Sequence, residues 1–317
     1  MESFVAPGAG RLINRETLRT LSVRSNALGG IQAASHLAAI GLTGSLIVLI
    51  PASSLWVLAP VLLVHGVLIN CLYAGQHELS HWTAFRTKPL NDVFGHLFGA
   101  LTLNPFLADR WMHFAHHRAT HDPERDPEIM GMAPYTALTY SIDLAGLDFW
   151  RRRIAAVVLA AAGRGPAIGY WLSETERRVV IWEARAHLTL WAGLLVVSGA
   201  LSTWAVALFW LGPLLASKWA HQLQNTGEHT GLAHSSDIFA NTRTLRGPAI
   251  VRWGVWNMSF HTAHHAYPGV PFHKLPNLHA EILRRRPEGV PILGYIEAQK
   301  AIFASLAGPR RAIAPSH

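Results

Sequence analysis

Cysteine is almost absent from this sequence, since the 317 residues contain only Cys71. A single cysteine allows no disulfide framework, no CxxC motif and no thiolate metal site. The first 30 residues contain no apolar segment like the core of a cleavable signal peptide, so we expect none. Charged side chains are also few, at 15% of the residues, whereas soluble domains have about 25%. This composition argues against an ordinary soluble domain.

Apolar residues replace the missing charged ones. They form 50% of the chain, and the mean hydropathy of +0.21 indicates that a lipid bilayer is the solvent. Two segments without a formal charge, residues 31–50 and 55–72, are separated by a PASS turn. Residues 188–220 are too long for one span of about 20 residues and are interpreted as two helices that turn near 199–203. The sequence predicts an all-α integral membrane protein with four transmembrane helices in two hairpins.

Basic residues predict the orientation of these spans. The segment before the first span contains Arg11, Arg15, Arg19 and Arg24, whereas the two short turns contain no Lys or Arg. The positive-inside rule therefore places both termini and the 80–180 segment in the cytoplasm, at the inner membrane if the source is bacterial. The net charge of +8 mostly reflects this face. Nucleic acid is not an expected partner, because no basic helix or aromatic-interleaved motif is present.

The predicted domain organisation consists of one membrane domain with two short extensions. Residues 1–30 form a cytoplasmic N-terminal arm, residues 31–299 form the membrane domain and residues 300–317 form a C-terminal tail. Two shorter apolar stretches, 92–107 and 154–163, are interpreted as interfacial or re-entrant helices on the cytoplasmic side. If either stretch crossed the bilayer, some of the histidine motifs described next would lie on the opposite face of the membrane from the others.

Histidine is concentrated in short motifs. HTAHH contains His261, His264 and His265, and helical spacing would bring the three rings to one face. The motifs HELSH, HFAHH and NTGEH supply His77, His81, His113, His116, His117, Asn225 and His229. Neutral imidazole is the commonest metal ligand in proteins, so the four motifs together predict a metal centre. Imidazole suits iron, zinc, copper and nickel, so the ligand type alone does not select the metal.

The position of the motifs predicts where this centre lies. His77 and His81 follow the apolar part of the second span, and Asn225 and His229 follow the fourth. The other two motifs belong to segments predicted to be cytoplasmic. One metal centre cannot take ligands from both faces of a membrane, so we expect a cytoplasmic cap that carries all four motifs.

The order HxxxH, HxxHH, HxxHH across four spans resembles the membrane fatty acid desaturase superfamily with its hydroxylase relatives, over roughly residues 30–290. The resemblance implies that two iron ions activate O2 and that electrons arrive from a separate donor protein of the ferredoxin, rubredoxin or cytochrome b5 type. It also implies nine iron ligands, namely His77, His81, His113, His116, His117, His229, His261, His264 and His265. Asn225 matches an asparagine that approaches one metal through a water molecule, which gives it a catalytic role.

The product is less closely determined by the resemblance. The first motif has one residue fewer between its histidines than in acyl-CoA desaturases, and HELSH, QNTGEHTGL and HHAYP are also similar to alkane hydroxylases and acyl-lipid or sphingolipid desaturases. Desaturation of a lipid or alkyl chain is the first hypothesis, and hydroxylation by a monooxygenase on the same scaffold is the alternative. A membrane zinc hydrolase and a non-catalytic haem or metal carrier are hypotheses from other classes. A haem carrier would place axial histidines inside the spans, and a transporter would need polar ligands near the midplane.

Several residues near the motifs receive weaker predictions. His121 and His221 are expected to support or cap the site without binding metal. One of Asp122, Glu124, Asp126 and Glu128 is expected to accept the outer N–H of a ligating histidine; the alternative is a solvated loop paired with Arg110, Arg118 or Arg125. Glu78 and Glu228 are expected to point away from the ligands. The isolated histidines are expected to be packing residues: His36, His65 and His96.

Overall fold

Three long helices organise the computed structural model, which describes residues 12–130, 134–286 and 288–307. Arg11 of the predicted basic arm and residues 308–317 of the predicted tail lie outside the described residues. The three helices are α2 (Asn26–Leu49), α3 (Leu55–Ser80) and α8 (Glu174–Ala200). By length and composition each can cross a membrane, so the first three predicted spans are confirmed as helices of sufficient length.

The other helices are shorter and follow the chain in the order α1 (Arg15–Leu21), α4 (Lys88–Leu101), α5 (Phe106–Ala119), α6 (Ala137–Leu144), α7 (Leu147–Ala161), a π-helical turn (Ala207–Leu211), α9 (Gly212–Ala216), α10 (Lys218–His229), α11 (Ile238–Asn241), α12 (Ala249–Gly254), α13 (His261–Ala266), a 3-10 turn (Phe272–Lys274), α14 (Leu275–Arg285) and α15 (Tyr295–Ala307). The stretches predicted to be interfacial fall mainly on α4 and α7. These helices have 14 and 15 residues, which is too short for an upright span of about 20 residues.

The predicted fourth span is not one regular helix. It consists of the π-helical turn, α9 and α10, and Pro213 is the second residue of α9. Proline has no N–H to donate and crowds the preceding turn, which is a common cause of such irregularities. Asn70 of α3 compensates at the break, because its side-chain amide donates to the carbonyl oxygen of Leu214 at 2.8 Å. That this segment crosses the bilayer stays a prediction.

Two short strands were not predicted from the sequence. β1 (Thr244–Arg246) and β2 (Ile292–Gly294) pair in parallel, with Thr244 opposite Ile292. The backbone N–H of Arg243, just before β1, donates to the carbonyl oxygen of Glu228 near the end of α10. The small sheet therefore connects the end of α10 to the start of α15.

The apolar core beneath the histidine motifs is built largely from aromatic rings. Trp256 is fully buried and packs edge-on against Phe98 at a centroid distance of 5.8 Å. Its indole N–H donates to His36 Nδ1 at 3.1 Å. His65 lies between Thr43 and the carbonyl oxygen of Phe209, at 2.7 and 2.9 Å. His36 and His65 are therefore packing histidines, as predicted.

The close contact between α3 and α9 allows a test of this packing. A Cβ atom added at Gly66 would overlap the carbonyl oxygen of Pro213, which belongs to backbone and cannot rotate away. We expect Gly66→Ala to lower the free energy of unfolding by about 1–3 kcal/mol, the usual cost of an overpacked contact. Gly41→Ala is the matched control, because nothing lies within 4 Å of its added Cβ. Thermal unfolding in detergent measures both variants, and equal midpoints would contradict the observed packing.

Candidate metal centre

Four segments of the chain bring the predicted ligands together. His77 lies in the last turn of α3, and His81 caps that helix. HFAHH occupies the last two turns of α5, His229 is the last residue of α10, and HTAHH begins α13. Residues i, i+3 and i+4 share a helix face, so each motif presents its rings on the side of its helix that faces the other motifs.

The first histidine group consists of His77, His81, His113, His117 and His264. One ring nitrogen from each of four members, His77, His81, His113 and His264, lies within 4.8 Å of the others. The Nε2 atoms of His81 and His113 are 2.8 Å apart. Nε2 of His117 lies 2.8 Å from that of His113 and 3.1 Å from that of His264, so His117 adjoins the same four.

The second histidine group consists of His116, His229, His261 and His265. Ring nitrogens of His116, His229 and His265 lie within 4.8 Å of one another, and Nε2 of His261 is 2.8 Å from Nε2 of His229. The two groups adjoin, because the rings of His117 and His265 stack with centroids 4.2 Å apart. All nine predicted ligands are thus brought together, as five and four.

The spacing of these nitrogens fits a bound cation. Two neutral imidazoles cannot both present lone pairs to each other at 2.8 Å without repulsion, whereas a cation between them removes it. Nitrogens bound to one ion at about 2.1 Å stand about 3 Å apart, which agrees with the distances in both groups. The residues present therefore fit a metal at each group, and their ring chemistry leaves the identity of the metal open.

Burial keeps most of these imidazoles neutral. It lowers the pKa of His117, His261 and His265 well below the ordinary value, and neighbouring imidazoles lower it further. Burial, with His116 nearby, lowers the pKa of His229 to about 3. A metal ligand must offer an unprotonated nitrogen, so these shifts prepare the rings for coordination at neutral pH.

His116 differs from the other members of its group. Burial opposes its charged form, but Glu128 and Asp126 raise its pKa to about 9. Its Nδ1 lies 2.9 Å from both carboxylate oxygens of the fully buried Asp126. A proton held on Nδ1 fixes the tautomer and leaves Nε2 as the ligand atom. The predicted carboxylate partner of a ligand is thus found, and it is Asp126.

Glu78 and Glu228 point away from the histidine that each adjoins in sequence, as predicted, but their partners are histidines of the centre. Oε1 of Glu228 lies 3.3 Å from Nδ1 of His261, and Oε1 of Glu78 lies 3.5 Å from Nδ1 of His264. Each glutamate points away from the histidine beside it in sequence and toward a ligand on α13. These contacts join α3 and α10 to α13, and helical spacing within one motif does not reveal how separate helices pack.

Three further polar residues were assigned roles near the centre: His121, His221 and Asn225. His121 has a positive φ of 65°, and its Nδ1 lies 2.9 Å from the carbonyl oxygen of Ala233. Nδ1 of His221 lies 3.1 Å from the ammonium nitrogen of Lys218. Neither belongs to a histidine group among the described residues, as expected. Asn225 is exposed to a cavity beside the second group, and its catalytic role stays a prediction.

One cavity adjoins the histidine groups, and a second cavity adjoins the first. The first, of about 160 Å³, is lined by members of both groups, including His77 and His261. The second, of about 320 Å³, extends along α7 and is lined there by Ala156, Val157 and Ala160. The two cavities share lining residues: Tyr73, Glu128, Phe149, Arg152, His221 and Asn225. Together they offer a path from the side of α7 to the candidate metal centre.

Comparison with known proteins agrees with this geometry. The family model for fatty acid desaturases matches residues 53–295, and the chain belongs to this family. It is 23% identical to the sn-1 oleoyl-lipid 12-desaturase of Picosynechococcus sp., over 72% of this chain and 69% of that protein. It is 25% identical to the dihydrorhizobitoxine desaturase of Bradyrhizobium elkanii, over 69% of this chain and 66% of that protein. It is also 22% identical to a fatty acid desaturase of Bacillus subtilis, over 64% and 62% of the two lengths.

Family membership supports a membrane-associated oxidoreductase that acts on lipid. The apolar helices and the buried histidine groups agree with it. The individual ligand assignments and the metal itself are taken up as proposals below.

Substitution of single histidines tests the two groups. We expect His265→Ala to lose bound metal and all activity while the protein still inserts in the membrane, because His265 belongs to the second group and stacks on the first. His264→Ala should do the same. His121→Ala is the control, since its ring lies 6.0 Å from that of His229 without joining the group, and it should retain most of the metal. Elemental analysis of purified variants measures the outcome; normal metal in His265→Ala would exclude that residue as a ligand.

Proposed function

We propose that this protein is a membrane di-iron enzyme that uses O2 to desaturate a lipid or alkyl chain. The observation that carries the proposal is the pair of adjoining histidine groups beside a cavity with an apolar wall. The proposed ligands are the nine histidines of the two groups, with Asn225 as a catalytic neighbour that acts through a water molecule. Two iron ions bound there would supply the oxidising chemistry that removes hydrogen from unactivated carbon.

The ligand set supports iron over the zinc alternative. A catalytic zinc ion takes three protein ligands and one water, whereas the two groups offer five and four imidazoles. Soluble di-iron bundles use glutamates as ligands; here the glutamates lie outside the imidazoles, as partners of their outer nitrogens. A haem carrier is disfavoured because the histidines cluster at one place at the helix ends.

The chain's own residues account for binding and positioning. The walls of the second cavity contact a chain that enters along α7, and the first cavity receives its reacting segment next to both groups. Seven of the nine rings are buried, which limits the access of water to the reacting carbon. The names of the relatives share desaturation and differ in substrate, so desaturation is taken from all three and the lipid class from two.

Hydroxylation is the competing outcome on this scaffold, and the short HELSH motif favours it. Removal of one hydrogen from substrate leaves a carbon radical that either loses a second hydrogen or gains oxygen. The outcome depends on how the neighbouring C–H is held, and shifts of about 1 Å matter in such reactions. The desaturase form of HFAHH and HTAHH favours loss of the second hydrogen.

An external electron donor is part of the proposal, of the ferredoxin, rubredoxin or cytochrome b5 type. The sequence contains two runs of three arginines, Arg151 to Arg153 and Arg284 to Arg286, which are candidates for its docking surface. Arg153 is turned inward, where it contacts Asn104 and lies 3.9 Å from Asp109. The side chains of Arg151 and Arg284 are 72% and 68% exposed, so these two are the most exposed of the remaining candidates.

Isotope labelling tests the reaction. Purified protein supplied with a donor, ¹⁸O₂ and a deuterated acyl lipid should yield a product that has lost two hydrogen or deuterium atoms and contains no ¹⁸O. Mass spectrometry of the extracted lipid measures both. The His265→Ala variant is the control and should give neither product. A dominant product that contains ¹⁸O would mean hydroxylation and would contradict the proposal.

Cysteine labelling tests the proposed cytoplasmic position of the centre. The native Cys71 is buried, so the unmodified chain provides the background. Glu124 is exposed in the loop after HFAHH, and Ser53 is exposed in the turn between α2 and α3. An impermeant thiol reagent added to intact cells should label Ser53→Cys and not Glu124→Cys, since the turn and the loop are predicted to lie on opposite faces. Labelling of Glu124→Cys from outside sealed cells would overturn the orientation.

A further inference from the structure

A third cluster of metal-binding side chains lies outside both histidine groups. His96 of α4 and Glu183 and His187 of α8 place a ring nitrogen of each histidine and a carboxylate oxygen within 4.8 Å of one another. His96 was predicted to be a packing residue, but its side chain is 45% exposed and faces this cluster. We propose that His96, Glu183 and His187 form a separate site for a divalent transition metal ion of the zinc type.

The geometry is close to that of a bound ion. Glu183 and His187 are four residues apart on α8, so they lie on one face of that helix. Zinc holds nitrogen and oxygen ligands at about 2.0–2.2 Å, which separates the donors of a tetrahedral site by about 3.4 Å. The distance of 3.2 Å between Nδ1 of His96 and Oε1 of Glu183 already fits. The third donor atom, on His187, lies within 4.8 Å of these two atoms.

Burial gives a second, independent argument. His187 is only 7% exposed, and its Nδ1 is buried without a hydrogen-bond partner among the described residues. An unsatisfied buried polar atom costs about 1–3 kcal/mol, so a ring in this position needs a compensating interaction. Coordination of Nδ1 by a bound ion would supply it.

An ion can reach the cluster from outside. An open groove of about 530 Å³ leads to the three residues, with Thr175, Arg178 and Trp182 at its walls. The guanidinium of Arg178 is held by Glu174 at 3.2 Å, which offsets its repulsion of a cation. The groove also leaves room for a water ligand, which completes the usual set of two histidines, one glutamate and one water.

Glu183 has a further role that connects this site to the candidate metal centre. Its carboxylate accepts the backbone N–H groups of Leu107 and Ala108, in the first turn of α5, at 3.0 to 3.1 Å. This contact explains why Glu183 is buried, but it leaves His187 unexplained. Because α5 also carries HFAHH, an ion bound to Glu183 would join α4, α8 and α5 about 9 Å along the helix from the first ligand of that motif.

Metal counting on the intact protein tests this inference and does not depend on the reaction proposed above. Purified full-length protein is loaded with iron and incubated with Co²⁺, a spectroscopic substitute for zinc, and unbound ion is removed. Iron, zinc and cobalt per chain are then measured by elemental analysis, together with the visible absorption of bound cobalt. We expect zinc and cobalt to sum to one ion per chain in the wild type, in addition to iron.

Two histidine variants locate the ion. His96→Ala and His187→Ala should each weaken cobalt binding by at least about 100-fold, the upper range for loss of a residue that merely supports a ligand, while the iron content stays unchanged. His96 is partly exposed, so its variant should fold even if replacement of the buried His187 does not. His279→Ala is the control, a partly buried histidine on α14 that should leave cobalt binding unchanged.

Three results would contradict the proposed site. Failure of the wild type to bind a zinc or cobalt ion beside iron would overturn the inference. Cobalt that enters only as iron is lost would place it in the histidine groups instead. Binding in His96→Ala that equals the wild type would show that the cluster is a capping arrangement around the start of α5.

Discussion

Crowding of imidazoles is the constraint on which the candidate metal centre depends. Nine rings lie together, seven of them buried, and several have Nε2 atoms 2.8 Å apart. Burial and the neighbouring rings oppose protonation of His117, His261 and His265. Cations between the nitrogens would make the arrangement favourable, and their binding would then be coupled to the folding of α3, α5, α10 and α13 around the centre.

The need for charge balance explains why carboxylates lie against the outer ring nitrogens. Imidazole ligands are neutral, so two divalent ions would leave about four positive charges in a buried site, which is unfavourable without nearby anions. Glu78, Glu228 and Asp126 each lie against the outer nitrogen of a histidine in one of the groups. These carboxylates compensate the charge without occupying a coordination position. The same contacts orient the rings, so the acidic residues are part of the centre even though none of them belongs to either group.

The sequence predicted the parts of the site that are local and missed those that depend on packing. Helical spacing within HTAHH and HFAHH was sufficient to predict that their rings lie at one centre, because i, i+3 and i+4 share a face, but it did not predict how each motif divides between the two groups. It could not show that Glu78 and Glu228 reach α13, since that depends on how separate helices pack. The break at Pro213 and the pairing of β1 with β2 were missed for the same reason. His96 looked isolated because its neighbours, Glu183 and His187, are about 90 residues away in sequence.

The walls of the cavities limit the kind of substrate that can reach the centre. Arg152 and Asp143 both line the first cavity, but their side chains are 2.6 Å apart and neutralise each other. Arg153 and Asp109 line the second cavity and likewise lie near each other, at 3.9 Å. Charges that are paired within the wall present little net charge to a bound molecule, whereas the small apolar residues of α7 offer contact along its length. A carbon chain finds apolar contact along α7, and the path ends at the two histidine groups.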